Sequence, residues 1–179
     1  MPVEPGKNYF ELFGLPVTFD IDTDDLSVRY RALQRRVHPD KFASGSDQER
    51  RVSMQMTTLV NEAFQTLRDS VKRARYLLHL KGIDVDAETD TAMDPAFLME
   101  QIELRESLDE VKQMANPHKP LAELANQIDR RMQAKVVQFR QHLSEDRGEG
   151  TSKARADVRE MQFLDKLRDE VDSLEEELI

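Results

Sequence analysis

The 179-residue sequence has no cysteine and no tryptophan, only six glycines, and 6% aromatic residues. Without cysteine there can be no disulfide, thiol nucleophile, thiolate-ligated metal or thiolate-held cluster. No apolar run approaches the roughly eighteen residues that span a bilayer. The opening Met1-Pro2-Val3-Glu4-Pro5-Gly6 has neither the basic start nor the apolar core of a signal peptide, so a soluble cytoplasmic protein is expected. A glycine-rich phosphate loop is also missing, which excludes nucleotide binding by that device. What is abundant is charge, at 34% of residues. Charge with little glycine and few aromatics suits exposed helices better than tight-turned sheets, so the expected fold is all-α.

The charge is unevenly spread. Residues 1–82 carry 13 Lys and Arg against 11 Asp and Glu, whereas residues 83–179 carry 13 against 24. Two modules with different partners would produce such a division. The second would repel a phosphate backbone, which argues against nucleic acid.

Periodicity and punctuation divide the chain further. Asn8 to Pro16 reads as a short helix with Tyr9, Phe10, Leu12 and Phe13 on one side, ended by glycine and proline. Asp22 or Thr23 can cap a second helix, along which Leu26, Tyr30, Leu33 and Val37 recur at steps of four, three and four. It must stop before Pro39, because a residue preceding proline is pushed out of the helical region. Ser46 or Asp47 can cap a third helix reaching about Asp69, with Val52, Met56, Val60, Ala63, Phe64 and Leu67 as the stripe that packs on the second in an antiparallel hairpin. A fourth runs from Val71 to about Lys81 and ends at Gly82. Residues 83–93, acidic and poor in apolar side chains, read as a linker. Beyond it, Asp94-Pro95 opens a helix to about Ala115, a second follows Pro120, and Arg147-Gly148-Glu149-Gly150 forms a turn into a last helix carrying Leu164, Leu167, Val171, Leu174 and Leu178. Three helices with short connections predict a three-helix bundle over 94–179.

The helix opened by Asp94 has two apolar faces. At about 100° per residue, Phe97, Leu104, Leu108, Val111 and Ala115 form a core stripe. Leu98, Met99 and Ile102 lie on the far side, where a surface helix should be polar, and Glu103, Glu106 and Glu110 extend that side towards the C-terminus. Either another part of the chain covers this patch or a partner docks on it. A methionine among branched side chains suits an adaptable surface, and an acidic strip would steer a basic partner.

In the first module, Val37-His38-Pro39-Asp40-Lys41-Phe42 holds a histidine and an aspartate at the hairpin tip. It has the look of an active site but lacks the parts of one. No serine elbow accompanies His38 and Asp40, the other histidines (His79, His118 and His142) are scattered over different helices, and a hairpin tip offers no pocket for paired carboxylates. No metal site is expected, and a contact surface is.

The aromatic opening, the basic second helix, His38-Pro39-Asp40-Lys41-Phe42 and Asn61-Glu62-Ala63-Phe64 together resemble the J-domain of J-type co-chaperones over about residues 8–70. Tyr9 to Pro16, His38 to Gly45, Ala96-Phe97-Leu98-Met99-Glu100-Gln101-Ile102-Glu103-Leu104-Arg105-Glu106 and Gln162-Phe163-Leu164-Asp165-Lys166-Leu167 narrow the resemblance to the HscB family, which serves iron-sulfur cluster assembly. The Gly/Phe-rich linker and zinc modules of general J-proteins are absent, as are the N-terminal cysteine pairs of some eukaryotic relatives, so the bacterial form is the one resembled.

The resemblance implies a J-domain with its fourth helix over 1–82, an acidic linker at 83–93, and a client-binding bundle over 94–179. It implies a co-chaperone, not an enzyme, with no cofactor of its own, that stimulates ATP hydrolysis by a DnaK-class chaperone (HscA-like) and delivers an iron-sulfur scaffold protein (IscU-like). His38, Pro39 and Asp40 would trigger hydrolysis, with Arg31 and Arg36 meeting the acidic chaperone surface. Leu98, Met99, Ile102 and Phe163 would bind the scaffold, edged by Glu103, Glu106 and Glu110. Phe163 enters only by resemblance, since its spacing also fits the core stripe of the last helix. The rival readings are a general J-type chaperone for unfolded clients and a purely structural helical protein.

Overall fold

A computed structural model describes residues 7–86, 94–145 and 148–178, all of whose regular structure is helical. The chain divides into two compact units, residues 1–80 and 81–179. The leader Met1–Gly6, most of the acidic stretch assigned as linker (87–93) and Arg147 of the assigned turn lie outside the described residues.

In the first unit, helix α1 (Tyr9–Leu12) is closed by a capping box, with the Asn8 side chain accepting from the Glu11 amide and the Glu11 carboxylate from the Asn8 amide. Two orphan donors are satisfied in this way, which lets a single turn hold Phe10 and Phe13 in the core. Asp22 caps α2 (Thr23–Val37) by accepting from the amides of Asp24 and Asp25. Ser46 and Glu49 form a second capping box at the start of α3 (Asp47–Arg68), and the Ser46 amide and hydroxyl, both donating to the Glu49 carboxylate, hold it below its usual range. α4 (Ser70–Leu80) returns along α3, and Gly82 follows it with φ +76°, a conformation that costs glycine nothing.

Two contacts fix the direction of the hairpin. The Tyr30 ring stacks on Phe64 at 4.0 Å, and seven residues further along α2 the Val37 carbonyl meets Ser53 of α3. Advancing along one helix retreats along the other, so the pair is antiparallel. Its core is uneven. Val60, Ala63 and Leu67 are buried, but Val52, assigned to the same stripe, is 49% exposed and Met56 is only half-buried. Spacing along α3 alone defines the stripe, whereas burial also needs a neighbour, and α2 ends at Val37.

Arg73 of α4 is 8% exposed, yet its guanidinium is satisfied. It donates to the carbonyls of Phe19 and Leu67 and lies 5.0 Å from the Phe19 ring.

The second unit is a three-helix bundle. α5 (Pro95–Lys112) has the expected Asp94 cap with proline at the first position but ends three residues short of Ala115, which is exposed. α6 (His118–Ser144) begins two residues before Pro120, because proline's missing N–H costs nothing in a first turn whose amides have no intrahelical partner. α7 (Glu149–Glu177) starts directly after Gly148 at φ +68° and takes up Gly150, which had read as part of the turn. A Cβ on Gly150 would fall 2.5 Å from the Glu145 carbonyl oxygen, so glycine is required there for close approach to the end of α6. Leu104, Leu108 and Val111 of α5, Leu121, Leu124 and Ile128 of α6, and Leu164, Leu167 and Val171 of α7 meet in one core. Within the stretch assigned as linker, Val85 is buried and its carbonyl accepts from Arg159 of α7 at 2.8 Å.

Candidate functional site

His38 leaves α2 in an extended conformation (φ −56°, ψ 128°), as the following proline demands, and Pro39–Phe42 then form one 3-10 turn. The His38 ring caps this turn, its Nδ1 accepting from the Asp40 amide at 3.3 Å with the Asp40 carboxylate 3.4 Å away. With Nδ1 as acceptor, the proton of a neutral ring sits on Nε2. The His38 and Asp40 side chains are 50% and 90% exposed. Groups so open to water lack the shielded setting that acid–base catalysis needs, and they are free to meet another surface. Among the described residues, no cluster of three or more His, Asp or Glu could hold a metal ion.

Beside the turn, the tip half of the hairpin encloses a groove of about 580 Å³, lined by Leu33, Val37, Phe42, Val52 and Met56 with Arg36 and Lys41 among its polar side chains. The two assigned arginines are thus placed differently. Arg36 borders the groove next to the loop, while Arg31 is exposed and projects about 140° away around α2, sharing its flank with Arg35. Ser53, which sequence reasoning passed over, is 3% exposed and donates to the Val37 carbonyl immediately before the loop.

In the second unit, Leu98, Met99 and Ile102 are 47%, 59% and 43% exposed, against 4% or less for Phe97, Leu104 and Leu108 on the same helix. α5 therefore has the two apolar faces that its spacing predicts. Glu103, Glu106 and Glu110 are exposed along the Met99 side, and among the described residues none of them meets a cation. Neighbouring acids behave otherwise, with Glu100 bound to Arg131 at 2.9 Å and Glu170 to Arg105 at 3.0 Å.

Phe163 is half-buried. Its ring meets Phe97 edge-on at 5.8 Å, and the Arg105 guanidinium lies 5.7 Å from it. Arg105 falls about 20° from Leu98 around α5, so Phe163 occupies the α7 flank of the patch while one side of it packs on the core. The core and surface readings of its spacing each describe part of this placement.

The seam between α6 and α7 holds polar groups that the sequence did not single out. Asp157, 4% exposed, has its carboxylate 2.5 Å from His142 Nδ1, and Glu160, 8% exposed, pairs with Lys135. Burial pushes both carboxyls up, against the opposing pull of His142 and Lys135 respectively. Tyr9, partly buried with its hydroxyl donating to Glu62, is pushed up to about 12, chiefly by burial.

Comparison with known proteins gives these surfaces a family. Residues 8–76 match the DnaJ domain and residues 93–172 the HSCB C-terminal oligomerisation domain. The co-chaperone protein HscB homologs of Shewanella baltica and Vibrio cholerae are each 42% identical to the chain over 96% of its length and 99% of theirs. Among solved structures, chaperone HscB from Vibrio cholerae has a TM-score of 0.83 at 39% identity, covering 97% of this chain and all of that one. Human co-chaperone HscB has a TM-score of 0.86 at 30% identity, over 96% and 84%. A DnaJ domain bearing an exposed His-Pro-Asp turn, followed by the HscB-type helical bundle, with this identity over nearly the whole length, means that the chain belongs to the HscB family of J-domain co-chaperones.

Proposed function

We propose that this co-chaperone stimulates ATP hydrolysis by a DnaK-class, HscA-like chaperone through the first unit and brings it an IscU-like iron-sulfur scaffold on the second, in the cytoplasm. The working division is a J-domain with its fourth helix (1–82), a connecting stretch (83–93) and a scaffold-binding bundle (94–179). His38, Pro39 and Asp40 trigger hydrolysis, while Arg31 and Arg36 give the loop a basic approach that attracts an acidic chaperone surface. Leu98, Met99, Ile102 and the open edge of Phe163 form the apolar centre of the scaffold site, and Glu103, Glu106 and Glu110 its charged rim.

The observation that carries the reading is the second face of α5, three large apolar side chains left 43–59% exposed beside three carboxylates that meet no cation among the described residues. A small patch of fixed shape with a charged rim fits one folded partner better than many unfolded ones. Because both sites lie on one chain, bound scaffold is held at a raised effective concentration near the chaperone. With no cysteine the chain offers no thiolate to a cluster, so cluster ligation stays on the scaffold.

Affinity capture from lysate, followed by ATPase assay of the captured chaperone, tests the proposal. One dominant scaffold partner and one stimulated chaperone are expected. A broad set of unfolded proteins on the bundle would establish a general J-type chaperone instead.

A further inference from the structure

The Val37 carbonyl is among those at the end of α2 that no helical amide can reach, and Pro39 has no N–H to offer it. α3 supplies the missing donors. The Ser53 hydroxyl donates to this oxygen at 2.6 Å, and the Thr57 hydroxyl lies 3.2 Å from it and 2.9 Å from the Ser53 carbonyl. Thr57 has one hydroxyl hydrogen to divide between those two acceptors, so Ser53 is the principal holder. Ser53 is 3% exposed, and a hydroxyl so buried is tolerated only because it is bonded.

The peptide that Ser53 grips joins Val37 to His38. Holding its oxygen fixes the plane of that peptide and with it the direction in which His38 leaves the helix. Two further restraints carry this orientation forward. Pro39 has a fixed φ, and His38 Nδ1 accepts from the Asp40 amide at 3.3 Å. The exposed carboxylate of Asp40 is thereby referred to α3 through a short run of restrained torsions.

We infer that Ser53, with Thr57 as a weaker second donor, is a positioning residue that sets the orientation of His38-Pro39-Asp40 and so governs how strongly the chaperone's hydrolysis is stimulated, not how tightly the chaperone binds. The inference rests on the assignment of that loop as the trigger. Neither hydroxyl needs to touch the partner.

Titrating Ser53→Ala, Ser53→Thr and Thr57→Val into the ATPase reaction of the DnaK-class chaperone tests it, with helicity recorded for each variant. For Ser53→Ala, maximal stimulation should fall roughly fivefold, the factor that one neutral hydrogen bond commands, at an unchanged half-maximal concentration. Ser53→Thr should restore stimulation to within about twofold, because it keeps the hydroxyl and Ser53 borders the groove that can take the added methyl. Thr57→Val should lose about twofold, given its longer and shared bond.

Full maximal stimulation by folded Ser53→Ala would overturn the inference. So would a loss that Ser53→Thr fails to repair, or one that appears as a higher half-maximal concentration. If Ser53→Ala loses helicity, Thr57→Val decides: reduced maximal stimulation supports the clamp and unaltered stimulation refutes it. Asp40→Asn in the same assay separates the two levels. Normal stimulation by that variant would remove the loop's role itself, whereas its failure beside an undiminished Ser53→Ala would remove only the clamp.

Discussion

The loop at the hairpin tip and the patch on α5 are both exposed, but they are built from opposite materials. The loop exposes a carboxylate and an imidazole on a backbone held by a helix end, a proline, a ring-to-amide hydrogen bond and two hydroxyls of α3. Little apolar area is on offer there, and its information lies in direction. The patch exposes Leu98, Met99 and Ile102 on a regular helix whose other face is anchored in the core, so its information lies in area and outline. Direction governs what happens after contact, while apolar area governs how long contact lasts. One chain can therefore divide efficacy and affinity between two sites.

The sharpest way to break this comparison is Asp40→Asn. It keeps the side chain's volume and changes only charge and donor pattern at a position 90% exposed, so the helices should survive. Stimulation of the chaperone's ATPase should nevertheless be abolished, by more than about 100-fold if the carboxylate acts on developing charge in the partner's site. Steady-state hydrolysis with circular dichroism checks both halves. A folded variant with normal stimulation would show that the loop is only a turn.

Second in size is the triple change of Leu98, Met99 and Ile102 to alanine. At about 1 kcal/mol of apolar contact for each truncated side chain, scaffold affinity should fall roughly 100-fold, with basal stimulation spared. Titration calorimetry against the scaffold reads the first effect and the ATPase assay the second. Undiminished affinity would mean that the exposed face of α5 is not where the client binds.

The sequence showed these two surfaces unequally. Three helix starts, those capped by Asp22, Ser46 and Asp94, could be read from the sequence, because caps and prolines act within a few residues of themselves, whereas α6 begins two residues before the start expected after Pro120. The patch was equally legible, since spacing along a single helix defines its faces. The framework of the loop was not. Val52 reads as core and is exposed, because periodicity says which side of α3 faces a neighbour and nothing about where that neighbour stops. Ser53, Arg73, Asp157 and Glu160 carry no signal in the spacing of their own helices and are buried, each satisfied by a partner 16, 54, 15 and 25 positions away. Such pairings are written in no local pattern. Gly150 read as turn because the Glu145 carbonyl that excludes a Cβ comes into view only once α6 and α7 are packed.

A smaller effect should distinguish rim from centre within the patch. Replacing Glu103, Glu106 and Glu110 with glutamine keeps volume and removes three charges that no cation in the described chain offsets. Association with the scaffold should slow by about tenfold at low ionic strength and converge on the natural protein's rate near 1 M salt, with dissociation little changed. Stopped-flow binding over a salt series measures this. A loss expressed mainly in dissociation would make these carboxylates direct contacts and would narrow the contrast between an apolar centre and a steering edge.

The smallest effect concerns what supports each surface. The clamp behind the loop is made of neutral hydroxyls, whereas the seam between α6 and α7 contains Asp157 and Glu160, whose carboxyls burial raises above the ordinary carboxylate range. Asp157 faces His142, Lys135 and Glu160, and Glu160 faces Lys135, Asp157 and Asp94. A carboxyl raised in the folded state holds its proton more tightly there than in the unfolded chain, so folding gains from protonation. That contribution is fully present below about pH 4, near the unfolded values, and is lost as pH rises through the raised folded values. Asp157→Asn removes one of the two titrations while leaving an amide oxygen that can accept from His142. Hydrogen exchange of α7 amides, followed from pH 4 to 7 and corrected for intrinsic exchange, should show a flatter dependence of opening free energy on pH in the variant than in the natural protein. Over the same range, protection of the α3 amides near Ser53 should be unaffected by the substitution. Equal slopes in α7 for the two proteins would mean that the attraction of His142 and Lys135 cancels the cost of burial, and that the bundle's seam responds to pH no more than the clamp does.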